Sequence, residues 1–137
     1  MKIAIINGPN LNLLGIREPG IYGRQTFEDF LKGLREKYPD VQIDYFQSNV
    51  EGELVNELQR VGFSYDGILL NAAAYTHTSV AIGDAVAAIK TPVIEIHISN
   101  IAAREEYRQR SFVGAKSVGA ISGLGLKGYE LGLLYFL

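Results

Sequence analysis

The sequence predicts an α/β fold, a five-stranded parallel sheet with helices on both faces. Short apolar or β-branched runs alternate five times with segments of helical period, the pattern of parallel strands joined by crossovers. The runs at Ile3–Ile6 and Ile68–Leu70 are apolar throughout, as strands covered on both faces are. The conspicuous polar residues follow the runs: Asn7 and Asn10 the first, Asn71 and His77 the third, His97 and Ser99 the fourth. Ligands of such sheets bind outside the carboxyl ends of the strands, near the topological switch point. A single site is therefore expected there.

Ile3–Ile6 is the first strand, ended by Asn7-Gly8-Pro9-Asn10. From there to Gln25 no helical or alternating period is visible, and residues 11–25 are expected to form a lid loop. Thr26 starts a helix with Asp29 three residues on, a capping-box-like arrangement. Phe27, Phe30, Leu31, Leu34 and Tyr38 form its apolar stripe, and Pro39 ends it. Val41–Phe46 is the second strand. Ser48 and Glu51 are placed to cap the next helix, which turns Leu54, Leu58 and Val61 inward. Asp66-Gly67 leads into the strand Ile68–Leu70. A loop from Ala72 to Thr78 precedes a helix with Ile82, Val86 and Ile89 inside. The fourth strand starts at Val93 and releases a charged helical segment, on which Arg104 and Arg108 stack four residues apart. Lys116–Ser122 is the fifth strand, and Leu124–Leu137 a closing helix weakened by its glycines.

The 137 residues make one domain, able to bury about 70% of the unfolded surface. A net charge of −2 gives no general attraction to nucleic acid or to an anionic membrane, so any anion site must be local. The absence of cysteine removes disulfides, thiolate metal sites and thiol chemistry. MKIAIINGPN lacks a cleavage pattern, no stretch approaches 18 apolar residues, and a cytoplasmic location is expected.

Several residues exceed what a fold needs. Arg17 and Tyr22 share the segment GIREPGIYG. A tyrosine titrating near pH 10 is a poor base unless a cation stabilises the phenolate, which a permanently charged guanidinium does. The ordinary alternative is a surface arginine and a tyrosine that packs the loop. Glu95 and His97, two apart in a strand, share one face. Glu95 could hold one imidazole nitrogen and make His97 a general acid, or pair with an arginine instead. The turn Ile98-Ser99-Asn100 could bind a carboxylate through its amides and hydroxyl, or be plain turn chemistry. Arg108 could hold substrate hydroxyls and Arg104 line the lid, or both could be solvated helix charges. Asp84 lies about 200° around its helix from Ile82; it is either plain surface or a contact to another subunit. His77, His97 and Glu95 could supply three metal ligands but lack a recognised metal spacing, so no metal is expected.

The segments NGPNLNLLGIREPGIYG, NAAAYTHTSVAI, IEIHISNIAAREEYRQRS and GLGLKGYELGL resemble type II 3-dehydroquinate dehydratase of the shikimate pathway, in colinear order over nearly the whole chain. The resemblance implies a flavodoxin-like fold, no cofactor, and a hydro-lyase that converts 3-dehydroquinate to 3-dehydroshikimate. It makes Tyr22 the base, with Arg17 lowering its pKa and Asn10 holding the enolate through a water. His97 becomes the acid, oriented by Glu95. The substrate carboxylate would meet Asn71 and the Ile98-Ser99 turn; the ring hydroxyls would meet His77, Arg108 and Asp84 of a neighbouring subunit. The family assembles as a dodecamer of four trimers. Two departures stand out: Ala102, where many members have histidine, and Gly83, where a basic residue is common near the expected subunit contact.

Two other readings make different predictions. A non-catalytic flavodoxin-like binding or signalling module would want paired acids after the first strand, where Asn7 and Asn10 stand, and a flavin carrier would copurify yellow. A metal-dependent hydrolase would lose activity with chelator. The dehydratase is expected to be colourless and indifferent to chelator, as absorbance and a chelator titration would report.

Overall fold

The computed structural model describes residues 1–16 and 25–137. Its strands are β1 (Lys2–Asn7), β2 (Gln42–Gln47), β3 (Gly67–Asn71), β4 (Val93–His97) and β5 (Gly119–Ser122). They pair in the order β2-β1-β3-β4-β5, every pair parallel. Among the described residues four α-helices pack on them: α1 (Phe27–Lys37), α2 (Glu51–Val61), α3 (Val80–Ala88) and α4 (Lys127–Phe136). The five-stranded, flavodoxin-like α/β arrangement is the one expected.

Two cores flank the sheet, and strand alternation decides which residues enter each. Ile3, Ile5, Leu69, Ile94 and Ile96 join Phe27, Leu31 and Leu34 of α1 and Tyr129 and Leu133 of α4. Ala4, Ile6, Ile68, Leu70 and Val93 point the other way, into Leu54, Leu58 and Val61 of α2 and Ile82 and Val86 of α3. Each large aliphatic side chain buried so completely contributes roughly 1.5–3 kcal/mol. The second face also receives Glu95 and His97, both buried. The apolar stripes expected of α1 and α2 are thus the buried ones.

The helix ends are partly as expected. Thr26 caps α1, its hydroxyl accepting from the Asp29 N–H at 3.1 Å. The cap expected from Ser48 and Glu51 does not form. Ser48 accepts from the Val50 N–H at 2.9 Å and donates to the Glu53 carboxylate, so α2 starts after Val50 without a side-chain cap. The closing helix is shorter than expected because Gly123 (φ 87°) and Gly125 (φ 64°) hold left-handed backbone that a helix cannot include. Within α4, Gly132 allows close approach to the sheet; a Cβ there would lie 2.8 Å from Leu69 Cδ2. The fifth strand also begins later than expected, since Gly114–Lys116 is a 3₁₀ turn.

The largest correction follows β4. The expected helix carrying Arg104 and Arg108 is instead two 3₁₀ turns, Ile101–Ala103 and Glu106–Arg108, with Arg104 extended between them. Gln109 explains the break. Its side-chain amide donates to the carbonyls of Ile101 (2.7 Å), Glu105 (3.3 Å) and Arg104 (3.4 Å), capturing acceptors that a helix would need for its own amides. The arginines are therefore not stacked by helical period.

Among the described residues no helix is long and apolar enough to cross a membrane. One polar cluster ties α1 to α4. Glu130 is bonded by Lys37 (2.6 Å), the Tyr38 hydroxyl (2.6 Å) and Lys127 (3.0 Å). Lys37 above all, then Tyr38 and Lys127, hold its pKa down at about 2. A depressed carboxylate stabilises the fold above its unfolded pKa, and that stability drains away as pH falls towards the folded value. Glu130→Gln is expected to lower the denaturation temperature at pH 7. The gap to wild type should close as pH falls from about 4.5 towards 2, which thermal scans across pH would reveal.

Candidate active site

The strand order reverses at β1, which pairs β2 on one side and β3 on the other. Asn7 and Asn71, the last residues of β1 and β3, are register partners at this switch point. A cleft opens above them, lined by Asn10, Asn71, His77, His97, Ile98, Ser99, Arg104 and Arg108 among others. The structure thus gathers eight of the residues singled out in the sequence. Glu95 stands behind His97. Asp84 does not line this cleft and is exposed on α3, the outward orientation expected of it. Arg17 and Tyr22 lie outside the described residues.

The floor is a chain of hydrogen bonds. Ala73 N–H donates to Asn71 Oδ1 (3.1 Å), and Asn71 Nδ2 donates to the Tyr129 hydroxyl (2.9 Å). That hydroxyl in turn donates to Asn7 Oδ1 (2.7 Å), and Asn7 Nδ2 reaches Tyr45 OH at 3.5 Å. The chain fixes which way each amide points. An amide nitrogen carries two hydrogens, so Asn71 keeps one donor beyond its bond to Tyr129. Ala73, which also lines the cleft, holds a left-handed φ of 53° that an alanine adopts only under constraint.

Two imidazoles form one side. His97 Nε2 meets Glu95 Oε2 at 2.5 Å, leaving Nδ1 for the cleft. Glu95 Oε1 accepts from the Ser111 hydroxyl at 2.7 Å. Burial alone would raise the Glu95 pKa; the hydrogen bonds from His97 and Ser111 and the nearby imidazoles outweigh it and hold the carboxyl below its usual value. His77 donates from Nδ1 to the Arg110 carbonyl at 2.8 Å. Burial above all lowers its pKa, opposed next by the bond to that carbonyl; the charges of His97 and Arg108 lower it further, and Glu95 raises it least. The neutral ring then offers Nε2 as an acceptor. The two rings lie 6.1 Å apart and 20° from parallel.

Next along the chain, the carbonyls of His97, Ile98 and Ser99 accept from Gly123 N–H, Gly125 N–H and the Ser122 hydroxyl. The loop between β5 and α4 thereby holds the Ile98–Ser99 turn from behind. Arg104 Nη1 donates to Ser99 Oγ at 3.3 Å, and Arg108 pairs with Glu105 at 2.5 Å. Asn10 has a left-handed φ of 70°, and its N–H is held by Asn49 Oδ1 at 3.0 Å. Leu11–Leu13, inside the expected lid, is a 3₁₀ turn, and Leu11 and Leu14 pack into the core. Among the described residues no three acidic or histidine side chains converge as metal ligands.

A model of the class II dehydroquinases matches residues 1–137. The chain belongs to the class II dehydroquinase family. It is an enzyme, a lyase of the dehydroquinase type. It is 52% identical over 137 residues to the 3-dehydroquinate dehydratase of Helicobacter hepaticus, covering 98% of this chain and 87% of that one. It is also 52% identical, over 136 residues, to the Aliarcobacter butzleri protein of the same name, with 98% and 83% covered. The crystal structure of the type II dehydroquinase from Butyrivibrio crossotus superposes with a TM-score of 0.95 at 44% identity, over 99% of this chain and 97% of that one. The Propionibacterium acnes enzyme gives 0.90 at 42%, over 98% and 94%.

Sequence reasoning passed over Ser111 and Tyr129, which bond to Glu95 and to the asparagines of this cleft. Ser111 closes the quoted RQRS and Tyr129 lies in GLGLKGYELGL, so the motifs contained both without assigning them work. Tyr129→Phe would strip a buried donor from Asn7 and an acceptor from Asn71. Orphaning such groups costs about 1–3 kcal/mol, and urea denaturation is expected to show a loss of that size.

Proposed function

We propose that this chain removes water from 3-dehydroquinate by anti elimination through an enolate, with Tyr22 as the base and His97 as the acid. The observation that carries the acid's part is the buried Glu95–His97 pair, which presents His97 Nδ1 to a cleft rich in groups for an anionic, hydroxylated ring. The Tyr22 phenolate, favoured by Arg17, takes the proton on the carbon next to the ketone. The released electron pair forms the enolate, which Asn10 holds through a water. As the enolate collapses, a carbon–carbon double bond forms and the bond to the β-hydroxyl breaks. His97 protonates that hydroxyl, which leaves as water. The ionised Glu95 is the counter-charge of the imidazolium and fixes its direction. The product, 3-dehydroshikimate, is an enone.

The spare Asn71 donor and the Ile98–Ser99 amides would receive the substrate carboxylate. His77 Nε2 would accept from a ring hydroxyl, with Arg108 beside it. Arg104 would line a lid formed by residues 11–25. The exposed Asp84 would reach the same hydroxyls from the partner subunit in a dodecamer of four trimers. Base, acid and enolate stabilisation are all supplied by these side chains, so the reaction needs no cofactor. The same proposal places the enzyme in the cytoplasm.

Purified protein mixed with 3-dehydroquinate is expected to generate the ultraviolet absorbance of the enone; no signal from well-folded oligomer would reject the reading. Tyr22→Phe should lose about 10²–10⁴-fold in turnover, the range of general acid–base catalysis, with substrate binding largely kept. A fully active variant would remove Tyr22 from the mechanism. Light scattering reports the assembly, and a monomer would exclude the contribution of Asp84 from a partner.

A further inference from the structure

The stretch from Arg110 to Gly114 contributes a single carbonyl to the mechanism above, yet it touches the partners of both imidazoles. The Ser111 hydroxyl donates to Glu95 Oε1 at 2.7 Å, while Glu95 Oε2 is paired with His97 Nε2 at 2.5 Å. Ser111 Oγ itself accepts from the N–H groups of Val113 (3.2 Å) and Gly114 (2.9 Å). With its lone pairs so engaged, its proton is aimed at the carboxylate. The fit is close: a Cβ on Gly114 would stand 3.0 Å from Glu95 Oε1.

The same stretch is anchored from two further directions. Phe112 N–H donates to the Thr76 carbonyl at 2.9 Å, next to His77. The Arg110 carbonyl accepts from His77 Nδ1 at 2.8 Å. The Phe112 carbonyl rests on α3 at Gly83, where a Cβ would come within 2.4 Å of that oxygen. Gly83 is therefore the seat of this segment.

We propose that Ser111 is a positioning residue: seated over Gly83, it holds the Glu95 carboxylate and through it His97, while the adjoining Arg110 carbonyl holds His77, so that one short segment aims both imidazoles at the substrate. This rests on the reading of His97 as the proton donor. A carboxylate held only by His97 is free to turn about its last torsion, which is broad and roughly two-fold. Its second oxygen would then be buried without a partner. Ser111 removes that freedom. The tautomer of the neutral His97 ring follows, because the Glu95 carboxylate keeps a proton on Nε2 and leaves Nδ1 as the nitrogen that takes up and delivers the proton on the cleft side.

The test is steady-state kinetics on Ser111→Ala, with Ser111→Thr as the variant that keeps the hydroxyl and Ser111→Cys as one that keeps size but weakens the donor. In Ser111→Ala, kcat should fall about tenfold to a hundredfold, the range matching one hydrogen bond to a charged group, with KM changed less than about twofold. Ser111→Thr should recover most of the loss and Ser111→Cys little. Nitrogen-15 spectra should show one His97 tautomer in wild type and a mixture in Ser111→Ala. Combined with Glu95→Gln, Ser111→Ala should add almost nothing, because it acts through that carboxylate. Wild-type kcat and a single tautomer in Ser111→Ala, beside inactive Glu95→Gln and His97→Ala enzymes, would overturn the inference alone. An active His97→Ala enzyme would instead overturn the reading of the acid. If Ser111→Ala does not fold, Ser111→Cys decides in the same way: unaltered kcat and tautomer count against the proposal, a loss counts for it.

Discussion

Glu95 sits in the fourth strand at only 4% exposure, flanked along the chain by isoleucines that face the opposite core. A charge in such a place costs several kcal/mol unless its lone pairs are satisfied. Much of the surrounding architecture is what satisfies them. One oxygen takes the imidazole of His97 and the other takes Ser111, and the bonds outweigh burial so that the group stays ionised. In the proposed mechanism this ionised carboxylate is the counter-charge of the His97 imidazolium. The long excursion between β4 and β5, including the 3₁₀ turns that replace a helix there, ends by delivering the serine to that carboxylate.

The other half of the site depends on the parallel sheet itself. Reversal of strand order leaves the ends of β1 and β3 side by side beneath a cleft, and each ends in asparagine. Tyr129 comes from the far helix to bridge the two amides, and deep burial pushes its own pKa far up, leaving it a neutral hydroxyl at ordinary pH. It can then serve as donor and acceptor together. Backbone geometry creates the crevice, and a tyrosine packed in one core fixes the polarity of its base.

The sheet and its helices were legible because burial on two faces writes itself into composition: Ile3–Ile6 and Ile68–Leu70 have no polar residue to hide. The stripes of α1 and α2 were equally plain. Asn10, Asn71, His77, His97 and Ser99 could be named because polar groups following buried strands exceed what the fold needs, whereas Ile98, Arg104 and Arg108 were named from a turn, a spacing and a family resemblance. What escaped was decided by tertiary contact. Arg104 and Arg108 have helical spacing, but Gln109 captures the carbonyls a helix would need. Ser48 finds Glu53 rather than Glu51. Gly132, a weak helix former, is favoured by a sheet that lies too near for any side chain. Ser111 belongs to no periodic pattern, so only coordinates place its hydroxyl on Glu95.

The bond from the Tyr129 hydroxyl to Asn7 joins residues 122 positions apart. Contacts of such separation are expensive in loop entropy and slow to find, whereas the pairing of β1 with its nearer neighbours is less so. A chain regaining its native state can therefore assemble the bulk of its sheet while the asparagines at the crevice still lack their bridge. Compactness and a finished crevice are then separate milestones in the maturation of one small domain, the second waiting on the docking of Tyr129 from α4.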